Sequence, residues 1–334
     1  MEFTITKGYS GWRLDKFLTE KLDKSRSQIQ KDIKAGFVLV NEKSAKVHQF
    51  LNAGDKIEIR NSKFETQIEG KKITNLKTKI QSIFGKKEKL PKIKIIKKND
   101  EYLIIEKPAG LLVHPTIKNE QNTLIHILIK KFPELAKVGD PIALEKDDQT
   151  FRPSIVHRLD RDVSGLMIIP RTQAMFDFLK SQFKQRKIHK KYLALVHGNL
   201  PKDQDIIDFE ISRASSGGKM AAHPEGSGKG KPSATEYQVI QRFDKFTLVE
   251  ARPLTGRTNQ IRVHFYAIGH PIVGDKLYKL KNIKSKTNLN RIFLHSTKLA
   301  FTDKQGNEQK LESALPGELK NFLQTSVWPT SHKL

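Results

Sequence analysis

The chain has 334 residues, and its 61 lysines and arginines against 36 aspartates and glutamates give a formal net charge of +25. It has no cysteine, which excludes disulfides, thiolate-bound zinc and a cysteine nucleophile. The length predicts two domains, and so large a cationic excess attracts polyanions, because each cation that neutralises a phosphate releases counterions. The N-terminus lacks the charged-then-apolar pattern of a signal peptide, and no apolar run approaches the ~20 residues of a membrane span. The expectation is a cytoplasmic protein with no membrane association, acting as a monomer on nucleic acid.

The first sixty residues read as one small unit. Leu14, Phe17, Leu18 and Leu22 recur at helical spacing. Ser25 and Gln28 form a capping box that opens a second helix, and Gly36 is placed to stop it. A strand over Phe37–Asn41, turns near Asn41 and at Asn52–Asp55, and an alternating strand over Lys56–Arg60 follow. Two short helices followed by a hairpin resemble the S4 RNA-binding domain, through Arg13-Leu-Asp-Lys-Phe-Leu18, Ser25-Arg-Ser-Gln28, Gly36–Asn41 and Gly54-Asp55. The resemblance implies that Arg13, Arg26, Lys31 and Lys34 meet RNA; ordinary solvated helix charge is the alternative for each. This domain is expected over 1–62.

Residues 63–92 are lysine-rich and nearly free of acids, and are expected to be a basic linker that adds electrostatic affinity without sequence specificity. From 93 to 326 strand-like runs alternate with helical stretches. Strands are expected at Tyr102–Glu106, Gly165–Ile169, Lys191–Val196, Thr235–Ile240, Phe246–Glu250 and Arg291–His295, and helices at Thr123–Phe132 and Thr172–Lys184. Several consecutive strands with short turns predict an α+β domain on a mixed, largely antiparallel sheet.

The sharpest segment is His157-Arg-Leu-Asp-Arg-Asp-Val-Ser-Gly-Leu166, a carboxylate in a glycine-containing loop before a buried strand. On local chemistry alone, Asp160 is as readily a surface acid paired with Arg158 or Arg161. The segment resembles the signature of the large-subunit ribosomal RNA pseudouridine synthases. Glu106–Gly110 with Val113-His114-Pro115, Lys190–Ala194, Lys219-Met-Ala with Gly230–Thr235, Pro253–His264, Gly269–Asp275 and Phe293–His295 resemble further family segments in family order. Within the C/D-like group, Tyr192–Gly198 and Asn290–His295 look most like the C branch; the D branch and a transfer-RNA target are alternatives.

The resemblance implies isomerisation of uridine to pseudouridine in 23S ribosomal RNA. The N1–C1′ bond breaks and the uracil rejoins through C5, so no cofactor and no metal is expected. Asp160 is then the reacting carboxylate, by covalent attack or through a glycal. Arg257 is implied as its ion-pair partner, Tyr192 as the stacking residue and a potential base, and Ile261 as the other wall of the base site. Arg262 is implied to bind substrate, and Arg158 to enter RNA as the uridine leaves its stack. For these the plainer alternatives are a phosphate-binding arginine, a half-buried strand tyrosine, a core isoleucine and an Arg158–Asp162 salt bridge. A non-catalytic RNA-binding or ribosome-assembly factor is the rival function. Val163 and Asn259 depart from the family's common threonine and histidine. Gly226–Lys231 is one residue short of a phosphate loop, and His264 and His270 read as structural.

Overall fold

The hairpin turn foreseen near Asn41 forms where the sequence places it, with Asn41 and Glu42 both at positive φ (52° and 63°). The computed structural model describes residues 2–22, 26–34, 36–59, 91–116, 120, 122–140, 152–214, 218–281 and 289–327. The chain divides into two units, Met1–Lys87 and Glu88–Leu334.

In the first unit, helices α1 (Leu14–Lys21) and α2 (Arg26–Lys34) fall between the first and second strands of a small sheet. That sheet orders its strands β1 (Glu2–Thr4), β4 (Lys56–Ile59), β2 (Val38–Val40) and β3 (Lys43–Ser44). Strand β1 was not expected. The helical periodicity is accounted for by burial: Leu14, Phe17, Leu18, Ile29 and Ile33 close a core against Val38, Val40 and Ile57. Gly36 follows α2 at φ +78°, the left-handed conformation that ends a helix with least strain in glycine. Ser25 of the expected capping box lies outside the described residues, as do residues 61–90 of the expected linker.

The second unit is built on a ten-stranded sheet. Its strands, in chain order, are β5 (Lys94–Lys98), β6 (Tyr102–Lys107), β7 (Ser164–Pro170), β8 (His189–His197), β9 (Gln204–Arg213), β10 (Met220–Pro224), β11 (Lys231–Arg242), β12 (Phe246–Pro253), β13 (Leu294–Thr302) and β14 (Glu308–Glu312). Across the sheet they run β10-β9-β11-β12-β8-β13-β7-β6-β5, with β14 on β13. Every pairing is antiparallel except β13 with β7. Helices α3 (Leu124–Lys131), α4 (Gln173–Lys184), α5 (Gln260–Ala267) and α6 (Gly317–Phe322) complete it. The domain is α+β, as expected. Among the described residues no helix is long and apolar enough to cross a membrane.

One expected strand moves. Arg291–His295 was read as strand, but Ile292 and Phe293 lie before β13, buried in the approach to the sheet. Buriedness alone made that run look like a strand.

The single parallel junction explains the glycine of the Asp160 segment. Gly165 sits at φ +120°, and a Cβ there would lie 2.3 Å from the Ser296 carbonyl oxygen. Only glycine lets β7 approach β13 this closely. The preceding Ser164 belongs to the same junction. Arg291 donates to its Oγ (2.6 Å), leaving the Ser164 hydroxyl to donate to His295 Nδ1 (2.8 Å). The serine and His295 are therefore structural neighbours beneath the loop that carries Asp160.

Candidate active site

Asp160 closes the loop before β7, with the Val163 N–H donating to its carbonyl. Lys107, at the end of β6, pins that loop from below. Its buried ammonium donates to the carbonyls of Pro108 (2.8 Å), Leu111 (2.8 Å) and Arg161 (3.0 Å). Burial pushes Lys107 down to about 7; Arg291 adds to this, and Asp160 and Asp162 oppose it. Lys107 stands in the Glu106–Gly110 segment, where the sequence alone suggests no role for it. Val163 is buried.

The third wall comes from the loop between β12 and α5. Gln260 knits this loop: its Oε1 accepts from Thr255 Oγ1 (2.7 Å) and the Arg257 N–H (2.9 Å), while its Nε2 donates to Ala234 O (2.8 Å). One turn into the helix, Arg262 extends between two carboxylates. It donates through Nη1 to Asp160 Oδ2 at 3.1 Å, and through Nε and Nη2 to Asp275 at 2.7 and 2.8 Å. The Asp275 side chain is fully buried, Arg262 is 13% exposed and Asp160 20%. Burial opposes the charge on Arg262, but Asp275 and then Asp160 outweigh it and hold the guanidinium firmly protonated. The fork geometry matches Asp275 bidentately, so the arginine is oriented from behind while its remaining nitrogen faces Asp160.

The expected Arg257–Asp160 pair is therefore corrected. Arg257 lines the same cleft, but its guanidinium donates to the Pro232 carbonyl at 3.2–3.3 Å. The two arginines are five residues apart with a helix start between them. Only the one inside α5 has its side chain fixed by a buried acid.

Tyr192 lies on β8, in register with Ala251 of β12 and Ser296 of β13, and is 6% exposed. It and Ile261 line the cleft that holds Asp160. Burial pushes the Tyr192 phenol up, and the Asp160 charge adds to it. The hydroxyl keeps its proton near neutrality in the free enzyme, and the ring lines the cleft beside Ile261.

Arg158 is exposed at the mouth. Its Nη1 donates to His114 Nε2 (3.2 Å), and His114 Nδ1 donates to Pro115 O (2.8 Å). The two bonds are compatible in one neutral tautomer, and burial accordingly lowers His114 to about 4. The arginine is thus aimed by a neutral histidine rather than by Asp162. His264 Nε2 meets Ser233 Oγ (3.0 Å) and His270 Nδ1 donates to His197 O (2.8 Å), both structural as expected.

The cleft has a volume of about 820 Å³. Among the described residues that line it, Asp160 is the single acid, facing six arginines and two lysines. In the front unit, Arg13 and Arg26 both bind the fully buried Asp15, with Nε contacts of 3.1 Å each. Lys34 is exposed, and the Lys31 side chain lies outside the described residues.

Among the described residues, one carboxylate set in a cleft lined by eight cations fits an enzyme that works on a polyanion. Comparison with known proteins names the reaction. Residues 101–267 match the RNA pseudouridylate synthase family and residues 12–57 the S4 domain. The chain is 34% identical to ribosomal large subunit pseudouridine synthase D of Nitrosomonas europaea, over 97% of this chain and 87% of that one. It is 31% identical to ribosomal large subunit pseudouridine synthase C of Vibrio vulnificus, over 93% and 91%. The structure of human RNA pseudouridylate synthase domain containing 1 superposes with a TM-score of 0.54 at 26% identity, covering 69% of this chain and 86% of that one. The chain belongs to the RNA pseudouridine synthase family: it is an isomerase with an RNA-binding S4 domain. Relatives named C and D match at similar identity, so they do not separate the two branches.

Proposed function

We propose that this enzyme isomerises specific uridines of 23S ribosomal RNA, with Asp160 as the reacting carboxylate. The observation that carries the assignment is Asp160 as the one acid among eight cations lining the cleft. RNA phosphates are attracted there, and among the described residues lining the cleft Asp160 is the one carboxylate placed to act on the sugar as a base or nucleophile. Arg262, held from behind by Asp275, orients it, Tyr192 and Ile261 sandwich the uracil, and Arg158 enters the stack as the uridine leaves. Flipping the nucleotide costs a few kcal/mol, which phosphate contacts from Arg257 and its neighbours offset. Arg13, Arg26, Lys31 and Lys34 of the front domain, with the basic 63–92 segment, hold the RNA without taking part in the reaction. The C and D relatives, both named as ribosomal large subunit enzymes, support a large-subunit target.

Pseudouridine has the mass of uridine, so the test is chemical. Ribosomal RNA from cells with and without this protein is labelled with carbodiimide and mapped by primer extension. Stops in 23S RNA that vanish without the protein and return when purified enzyme treats the RNA are expected. Unchanged 23S maps, with lost stops in transfer RNA, would move the target; no lost stop in any RNA would remove the assignment.

A further inference from the structure

Asn259 begins α5 in the left-handed region (φ 54°, ψ 22°), with its side chain between Asp160 and Tyr278. The Met220 N–H donates to Tyr278 Oη at 2.8 Å, so the phenolic hydrogen is free to point elsewhere. The Asn259 amide lies 3.1 Å from that oxygen. When the phenol donates to Asn259 Oδ1, the amide nitrogen is presented to both Asp160 oxygens, at 3.1 and 2.8 Å. The opposite orientation sets Oδ1 2.8 Å from a carboxylate oxygen with no hydrogen between them. It keeps the Tyr278 contact, now with the amide donating at 3.1 Å, and adds a 3.3 Å approach from Arg262 Nη1, a nitrogen already bonded to Asp160. Repulsion between two acceptors decides the orientation. The Tyr278 ring also covers the Arg262 guanidinium, 5.2 Å from ring centre to carbon. One tyrosine thus organises both donors to Asp160.

We infer that Asn259, set by the Tyr278 hydroxyl, is a positioning residue that fixes the rotation of the Asp160 carboxylate in the cleft. The inference rests on Asp160 being the reacting group. Arg262 alone contacts one oxygen and leaves the carboxylate free to turn about its Cβ–Cγ bond; the amide contacts both oxygens and removes that freedom. Asparagine also suits the backbone, since it tolerates the left-handed conformation better than most residues.

The test is turnover of full-length protein on 23S RNA transcribed in vitro, read by carbodiimide-dependent stops. Asn259→Gly deletes the amide at a φ that glycine accepts. Its kcat should fall about ten- to a hundredfold, the worth of a hydrogen bond to a charged group, with KM little changed. Asn259→Asp keeps the shape but faces one carboxylate with another and should lose more. Asn259→His restores an N–H donor and should recover part of the rate. Tyr278→Phe keeps the ring over Arg262 and removes only the hydroxyl. It should slow kcat less than Asn259→Gly and add nothing to it in the double variant, because the two act through one contact. Thermal melting should be unchanged in Asn259→Gly. A parental kcat in Asn259→Gly while Asp160→Asn is dead overturns the positioning role alone. Additive losses in the double variant overturn the link through Tyr278. Turnover by Asp160→Asn would instead remove the reading of Asp160 on which the inference rests.

Discussion

Each unit of this enzyme pairs an aspartate with arginine, and the two aspartates are treated differently. Asp15 in the front unit is fully buried and accepts from Arg13, Arg26 and Gln30, the last at 2.6 Å. Asp160 keeps a fifth of its side chain exposed and takes one guanidinium nitrogen and one amide, both from the α5 side. Where donors close over a carboxylate from every side, it serves as a tie between α1 and α2. Where they approach from one side only, the charge is held in place and the other face is left to the cleft. The same ion-pair chemistry therefore gives a brace in one unit and, on the proposed function, the reacting group in the other, and the number of open lone pairs separates them.

The largest effect should come from neutralising each aspartate without changing its shape. Asp160→Asn is expected to abolish pseudouridine formation while RNA affinity stays within a few fold. Asp15→Asn should leave the chemical step on saturating RNA intact, since the reacting groups lie in the other unit, and should weaken RNA binding through a loosened front unit. Carbodiimide mapping under single-turnover conditions, beside filter binding, reads both. An active Asp160→Asn, or an Asp15→Asn dead at saturating RNA, would break the distinction.

The next largest effect compares two arginines of one segment. Arg262→Ala leaves Asp160 unpaired and Asp275 as an uncompensated buried charge, so it should lose nearly all turnover and about 3–5 kcal/mol of stability. Lysine should not rescue it, because it lacks the fork that meets Asp275 bidentately. Arg257→Ala removes a contact to one carbonyl and one cation of the cleft wall, so it should raise KM several fold with little change in melting temperature. Urea unfolding with steady-state kinetics decides the pair. The reverse ranking would restore Arg257 as the partner.

That ranking marks where the sequence stops being legible. Asp160, Tyr192 and Ile261 could be named from the family resemblance of their segments, and the structure brings them to one cleft. The choice between Arg257 and Arg262 could not, because it depends on where α5 starts. The helix was missed for a physical reason: Gln260, Ile261, Val263, His264 and Phe265 are all buried, so it lacks the polar face that reveals a helix in sequence. Strand β9 was missed because it interleaves acids with its apolar residues. Asp275 and Tyr278 lie more than a dozen residues beyond Arg262 and reach it only through the fold. Asn259 was noted as a departure from the family, but its bond to Asp160 needed coordinates. In the front unit, the periodicity of α1 and the glycine after α2 were legible because each follows from local backbone physics.

A smaller effect is acid sensitivity of the brace. Burial works against the Asp15 charge, yet hydrogen bonds from Gln30, Arg26 and Arg13 outweigh it and hold the carboxyl well below its usual range. A carboxyl lower in the folded than in the unfolded chain contributes stability above its unfolded value of about 3.9. That contribution is lost as pH falls from there toward the folded value. Trp12, edge-on to Tyr9 in this unit, reports it by fluorescence in a Trp328→Phe background. The front unit should loosen steeply below about pH 4, and Asp15→Asn should flatten that limb while lowering the plateau above it. An equally steep limb in Asp15→Asn would assign it to other carboxylates.

The smallest effect is in salt dependence, and it separates cations that brace from cations that bind. Arg13 and Arg26 share the charge of Asp15, so part of their field is spent within the protein, whereas Lys34 is exposed at the end of α2. Each cation that neutralises an RNA phosphate contributes about 0.7–0.9 to the slope of log affinity against log salt. Lys34→Ala should therefore lower the slope by about that amount if it meets a phosphate, with melting unchanged. Arg26→Ala should lower the slope by less and the stability of the front unit by more. Titrations of the full chain with ribosomal RNA between about 50 and 200 mM salt cover a range wide enough to resolve one contact. If Arg26→Ala removed a full contact while Lys34→Ala removed none, the Asp15 cluster itself would be the RNA-facing surface, and the contrast between the two aspartates would be one of ligand rather than of closure.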